Sequence, residues 1–148
     1  MQTACHPAIA AEKTVFSLPL RVYYEDTDAA GIVYYANYLR FCERARTETL
    51  REIGFEQQAL LAQQRIAFVV RSVKADYLSP GFLDDALHVV SNIDTVGGAS
   101  LVFAQRVLRD TELLFDGRFV IACVHLDKKR PTPFPAEIRS KLERLVQA

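Results

Sequence analysis

Apolar and small residues recur at helical spacing in the first part of the chain. From Tyr34 to Ile53 they return every three or four positions, and Gly54 follows at once, as is usual after a helix. This pattern predicts one long helix, and Glu56 to Gln64 are expected to add a short second one. Before the long helix, Val15 to Tyr24 is predicted to be a strand interrupted by Pro19.

Beyond Arg65 the pattern changes to alternating and continuous apolar runs, bounded by turn residues. Four strands are predicted, followed by a short amphipathic helix after the proline-rich end of the sheet: Ile66–Tyr77, Ala86–Val96, Ser100–Arg109, Leu113–Leu126 and the helix Ala136–Val146. Turns or a bulge are expected at Pro80-Gly81, Gly97-Gly98, Asp110-Thr111 and Asp116-Gly117. The order of elements predicts an α+β fold, in which the long helix covers one face of an antiparallel meander. The other face of the sheet would then remain exposed to solvent, so a homo-oligomer that buries it is expected.

Composition narrows the class of protein. A chain of 148 residues, half of them hydrophobic, is long enough for one globular domain, predicted at residues 14 to 148 after a flexible extension at residues 1 to 13. Eighteen basic residues balance eighteen acidic ones, which gives no reason to expect a nucleic-acid partner.

Location is predicted from the cysteines and from the apolar runs. Cys5, Cys42 and Cys123 have no paired spacing and are expected to be free thiols in a reducing compartment. No apolar run reaches the ~18 residues of a membrane span. The first residues lack the basic region of a signal peptide, so we expect a cytoplasmic protein without a transmembrane segment.

An acidic turn lies directly before the long helix, in the loop from Glu25 to Val33. A calcium loop would need oxygen ligands at its fifth and twelfth positions, but these are Ala30 and Asn37. A magnesium site built on Asp26 and Asp28 would need a second acidic cluster or a phosphate-binding loop, and neither follows. His88 and His125 lie in strand patterns and are expected to be structural. We therefore predict no metal.

A carboxylate beside a helix N-terminus leaves two interpretations open. Free N–H groups at a helix start can stabilise an oxyanion, and an ionised Asp nearby can attack a carbonyl or activate water. Together they would allow acyl hydrolysis. The commoner alternative is an acidic cap that only stabilises the helix, and Asp26 is then expected to be a surface acid.

The segment YYEDTDAAGIVYYANYLRFCERARTE strongly resembles the signature of the 4-hydroxybenzoyl-CoA thioesterase family. It is most similar to the Tol–Pal-associated acyl-CoA thioesterase branch, the YbgC type. The resemblance continues through RIAFVVRSVKADYLSPGFLDD and GGASLVFAQRV, and it covers the chain from about residue 18 to residue 130.

This resemblance implies a hotdog fold, in which an antiparallel sheet wraps around one long helix. It implies hydrolysis of acyl-CoA with no metal and no cofactor apart from the coenzyme A of the substrate. Asp28 is then the nucleophile or general base, and the backbone amide of Tyr35 polarises the thioester carbonyl. Relatives form dimers and tetramers with an interfacial active site. Many members of the branch carry His where this chain has Tyr35, so a side-chain role at position 35 is not expected to transfer.

The remaining predictions concern the substrate and its carrier. We expect a short-chain or small aromatic acyl group, carried by coenzyme A or by an acyl-carrier protein. Peripheral contact with the inner membrane is the alternative to a location in free solution. The acyl pocket is expected to include Phe41, Phe68 and Val70, and the coenzyme A phosphates are expected to contact Arg71, Lys74, Lys128, Lys129 and Arg130. A non-catalytic acyl-CoA binding or scaffold protein is the alternative function. A hotdog dehydratase is weaker, because no His lies in the motif.

Overall fold

The computed structural model of the chain describes residues 16 to 147, so the predicted N-terminal extension and Cys5 lie outside the described residues. A 3-10 turn at Tyr24–Asp26 precedes the first helix. Residues 16 to 147 contain three α-helices: α1 Asn37–Glu52, α2 Gln57–Gln64 and α3 Ala136–Gln147. One sheet contains six strands: β1 Phe16–Arg21, β2 Ile66–Tyr77, β3 Ala86–Val96, β4 Ser100–Arg109, β5 Glu112–His125 and β6 Arg130–Pro131. The described residues therefore contain every predicted element.

The strand order differs in one place from the predicted meander of consecutive strands. The sheet runs β1-β3-β4-β5-β2, with β6 paired to β5, and its pairings are antiparallel. Strands β3, β4 and β5 form the expected meander, but β2 pairs with β5 instead of β3. The connection after β2 explains this, because it crosses the end of the sheet. Leu78 N donates to Leu114 O at one side, and Asp84 N donates to Val22 O at the other.

Helix α1 lies against the core face of the sheet and contacts β1, β3 and β4. Its buried side includes Tyr38, Cys42, Ala45 and Leu50, at the spacing that the apolar pattern predicted. The chain leaves this helix through Gly54, which has φ +95°. Helix α3 adds the buried side chains Ile138 and Leu142 to the same core.

Gly117 was expected to mark a turn or bulge, and the structure places it inside β5 in regular pairing with Gln105 and Ala75. A Cβ atom there would lie 2.8 Å from Phe115 Cε1 and 2.9 Å from Phe119 Cε1. Such distances are too short for real contacts, so glycine at this position allows the two rings to pack over the strand.

Two of the three cysteines lie within the described residues, and both are buried free thiols, as predicted. Burial raises the pKa of Cys42 to about 12 and that of Cys123 to about 11. Both groups therefore remain protonated near neutral pH and are poor nucleophiles.

Candidate active site

The buried anchor of the acidic turn is Asp26, whose side chain is 3% exposed. Its Oδ2 accepts a hydrogen bond of 2.8 Å from Tyr23 N, and its Oδ1 accepts one of 2.8 Å from Asn37 Nδ2. Its carbonyl also accepts from Tyr34 N at 2.8 Å. Asp26 therefore ties the 3-10 turn to the start of α1, and the expectation of a surface acid is wrong.

Asp28 lies two residues further on, exposed, on a tight turn. Its N–H donates to Ile32 O at 2.9 Å, and its carbonyl accepts from Gly31 N at 3.0 Å. Its Oδ1 accepts from Ala30 N at 2.9 Å, while Oδ2 has no hydrogen-bond partner among the described residues. Gly31 closes the turn with φ +80°, a conformation that glycine adopts easily. One carboxylate oxygen is thus held by the turn and orients the side chain, and the other oxygen remains available for a reaction.

Tyr35 precedes the first residue of α1 by two positions. The amides on either side are occupied, because Tyr34 N donates to Asp26 O and Asn37 N donates to Tyr34 O. Within residues 16 to 147, Tyr35 N has no hydrogen-bond acceptor. This amide is therefore available to an oxyanion at the entry to the helix. The phenol ring of Tyr35 is 61% exposed.

Tyr35 also lines an apolar cavity of about 240 Å³. We call it the tyrosine pocket, and its lining residues are Ile32, Val33, Tyr35, Tyr38, Tyr77, Leu78, Ser79 and Pro80. Asp28 does not line it, but the Asp28 N–H is bonded to the carbonyl of Ile32, a lining residue. The acidic turn and the pocket are thus joined through one backbone hydrogen bond.

Tyr38 forms part of the pocket wall and is held on two sides. Its hydroxyl accepts a hydrogen bond of 3.0 Å from Gly81 N, and its ring stacks on Phe115 with centroids 5.4 Å apart. Burial raises the pKa of Tyr38, and the Gly81 hydrogen bond opposes this only in part. The phenol is therefore neutral near pH 7 and keeps a proton that it can donate.

The structure does not bring all predicted substrate contacts to this pocket. Phe41 is fully buried in the core, and Phe68 and Val70 line a different cavity. Arg71 and Lys74 are exposed on β2, and Lys74 precedes the pocket residue Tyr77 by three positions.

The basic cluster Lys128, Lys129 and Arg130 is exposed after β5. It lies near the β2 end that starts at Ile66, which pairs with His125, whereas Tyr77 ends the same strand. At about 3.3 Å per residue, the two ends of β2 are roughly 35 Å apart. Within one protomer this cluster is therefore far from the tyrosine pocket.

Tyr38 and Tyr77 were not among the sequence-predicted site residues. Tyr38 follows Tyr35 by three positions, a spacing that places both on one side of a helical turn, so this signal was present in the sequence. Tyr77 reaches the pocket only through the pairing of β2 with β5, and that pairing has no local signature.

The described residues contain no group of three or more His, Cys, Asp or Glu side chains placed to hold a metal ion. Among the same residues no helix is long and apolar enough to cross a membrane.

A family model described as the thioesterase-like superfamily matches residues 22 to 142. The chain therefore belongs to this superfamily, and its architecture is the hotdog fold that the resemblance predicted. Among relatives, the acyl-CoA thioesterase YbgC of Haemophilus influenzae is 48% identical over 130 residues, which cover 88% of this chain and 96% of the relative. The acyl-CoA thioester hydrolase YbgC of Escherichia coli O6:H1 is 48% identical over 126 residues, which cover 84% of this chain and 93% of the relative.

A solved structure supports the same assignment. A "Probable Thioesterase" from Bartonella henselae superposes with a TM-score of 0.78 at 32% identity, covering 81% of this chain and 98% of that one. The predicted family membership and fold are confirmed.

Proposed function

We propose that this protein is an acyl-CoA thioesterase that hydrolyses the thioester of a short-chain or small aromatic acyl-CoA. The observation that carries the proposal is the presence of two available groups, one in the acidic turn and one in Tyr35, a residue that lines the tyrosine pocket. These groups are Asp28 Oδ2 and Tyr35 N–H, and neither has a hydrogen-bond partner among the described residues. The 48% identity to proteins named acyl-CoA thioesterases supports the same activity.

The chemistry needs only these two groups. The thioester carbonyl oxygen accepts a hydrogen bond from Tyr35 N–H, which stabilises the negative charge that develops in the tetrahedral intermediate. Asp28 either attacks the carbonyl carbon, giving a mixed anhydride that water then hydrolyses, or removes a proton from the attacking water. The thiol of coenzyme A is released in both routes. Neither route uses a metal or another cofactor.

The size and chemistry of the tyrosine pocket support a small acyl group. A volume of about 240 Å³ is below the roughly 300–1,000 Å³ of sites for larger ligands. Rings from Tyr35, Tyr38 and Tyr77 offer faces and edges for aromatic packing, and the Tyr38 hydroxyl adds one donor.

The free edge of β2 supports a homo-oligomer, either a dimer or a tetramer. This strand is twelve residues long, pairs only with β5 among the described residues, and exposes apolar side chains that include Val69 at 40% and Val73 at 42%. A long apolar edge of this kind is usually covered. A second copy on this edge would also bring another basic cluster towards the coenzyme A phosphates. Light scattering at micromolar concentration tests this, and a monomer would contradict it.

Three further features follow only from the family resemblance and remain proposals. They are a cytoplasmic location with peripheral contact at the inner membrane, an association with the Tol–Pal system, and the use of acyl-carrier protein in place of coenzyme A.

Release of free thiol from a panel of acyl-CoAs tests the enzyme. We expect turnover of short-chain or small aromatic substrates by the native chain, and retained binding with little turnover by Asp28→Asn. Tight binding of acyl-CoA without any thiol release would support a non-catalytic binding protein instead.

A further inference from the structure

A second cavity, of about 90 Å³, lies between α1, α2 and the core face of the sheet. We call it the Arg46 cavity. Its polar wall consists of Glu43, Arg46, Thr47 and Gln57, and aliphatic and aromatic side chains from Leu50 and strands β2, β4 and β5 form the rest. It shares no lining residue with the tyrosine pocket.

Arg46 is a buried cation, 8% exposed, whose contacts are with uncharged groups. Its NH1 donates to Gln105 Oε1 at 2.9 Å, and its Cζ lies 4.6 Å from the centroid of the Phe119 ring. Within residues 16 to 147 it forms no ion pair. Burial lowers the pKa of Arg46, but a guanidinium keeps its charge in proteins. The cavity therefore contains a positive charge that forms no ion pair with a carboxylate of residues 16 to 147.

Gln105 fixes the orientation of this guanidinium. Gln105 is itself fully buried, and its Nε2 donates to Cys42 O at 2.9 Å and to Ser91 Oγ at 3.0 Å. Its Oε1 is thereby turned towards Arg46. One amino group of the guanidinium is occupied, and a planar fork of further N–H donors remains for an acceptor.

The nearest acid, Glu43, does not form an ion pair with Arg46. Glu43 is exposed, and its Oε2 accepts a hydrogen bond of 3.1 Å from Thr47 Oγ1, which in turn accepts from Gln57 Nε2 at 3.2 Å. Glu43 favours the charged form of Arg46 and so raises its pKa, but the Glu43 side chain is exposed and water screens its charge, whereas the Arg46 charge is buried beside the cavity.

We propose that the Arg46 cavity binds a short-chain monocarboxylate, with its carboxylate on the Arg46 guanidinium and its alkyl group against the apolar wall. Guanidinium and carboxylate form charge-assisted, frequently bidentate hydrogen bonds. A cavity of about 90 Å³ excludes long acyl chains and leaves room for an acid such as propionate. Binding at this site requires no catalysis, so the inference stands independently of the proposed hydrolysis.

Binding is tested on the full-length chain by NMR titration of the arginine Nε–Hε and backbone amide signals, with propionate as the probe. Propionamide has nearly the same shape without the charge, and sodium chloride controls for ionic strength. We expect saturable shifts at Arg46, Thr47 and Gln57 in the millimolar range, and at least about tenfold weaker binding of propionamide.

Two substitutions complete the test. Arg46→Gln removes the charge and should weaken propionate binding by at least about tenfold, whereas Arg46→Lys should restore part of it. Arg40→Gln makes the same charge change at an exposed position of α1 and should leave binding unchanged. If Arg46→Gln does not fold, the comparison of propionate with propionamide on the native chain still shows whether the cavity recognises the carboxylate.

Equal affinity for propionate and propionamide would overturn the proposal, and so would shifts confined to Asp28 and Tyr35. A failure of the acyl-CoA assay would leave this result unaffected, so the two proposals fail separately.

Discussion

The acidic turn contains two aspartates with opposite surroundings, although only one residue separates them. Asp26 is buried, and both of its carboxylate oxygens accept hydrogen bonds that join the turn to α1. Asp28 is exposed, with one oxygen bonded to the turn and the other without a partner among the described residues. The first therefore fixes the geometry, and the second is available for chemistry. Identical substitutions at the two positions should give different results.

The largest effect is expected from Asp28→Asn. Asparagine Oδ1 can still accept from Ala30 N, so the turn should persist, but the charge and the basicity are lost. We expect kcat on acyl-CoA to fall by about 10²-fold or more, with KM and thermal stability little changed. A kcat within a few-fold of the native value would remove Asp28 from the mechanism.

Asp26→Asn should act on stability. The new amide group would have to turn its NH2 towards Tyr23 N or Asn37 Nδ2, both of which are donors. We expect a loss of about 2 kcal/mol in the free energy of unfolding. The melting temperature should then fall by roughly 4–8 °C. Calorimetry measures this, and kcat of the folded fraction should fall far less than in Asp28→Asn. If activity were lost equally at both positions and depended on a divalent metal, the acidic turn would be a metal site instead.

A smaller effect should separate the basic residues along β2. Lys74 lies three positions before Tyr77, so its charge is about 10 Å along the strand from the tyrosine pocket. Lys74→Gln should raise KM for acyl-CoA by about fivefold at unchanged kcat, because it removes binding shared by the ground and transition states. Lys128→Gln provides the comparison at the distant end of the sheet. In a monomer it should change nothing, and an equal rise in KM would indicate that a partner subunit supplies this residue.

The smallest effect is expected at the Tyr35 side chain. Tyr35→Phe keeps the backbone N–H and the ring, so kcat should change by less than about twofold. Tyr35→His should also be mild unless an imidazole contributes at this position, in which case activity would rise. A large loss in Tyr35→Phe would show that the phenol hydroxyl takes part.

The sequence predicted the fold closely because each element carries a local signal. The helical period of the apolar residues and the following Gly54 predicted the long helix. Turn residues predicted both ends of β3 and of β4 at the residues where the structure has them. The position of β2 was not predictable in this way, because its pairing with β5 is set by the path of a connection across the sheet. Gly117 was misassigned as a turn signal for a related reason, since its role depends on two rings that pack above it.

The site was only partly predictable. Asp28 and the Tyr35 amide could be proposed from the motif, since both depend on local backbone geometry. The burial of Asp26 could not, because it arises from a hydrogen bond to Asn37, eleven residues away. The tyrosine pocket was not predicted for a similar reason, as its walls come from two separate parts of the chain, residues 32–38 and 77–80.

Gly117 has a consequence for how substrate preference could change during evolution. It lies outside the tyrosine pocket, yet it determines how closely Phe115 and Phe119 approach the strand, and Phe115 supports the ring of Tyr38. A methyl group at position 117 would displace the Phe115 ring, on which the pocket residue Tyr38 stacks. Natural variation at position 117 would therefore change the shape of the tyrosine pocket without altering any residue that lines it, and a search limited to pocket-lining positions would miss the cause.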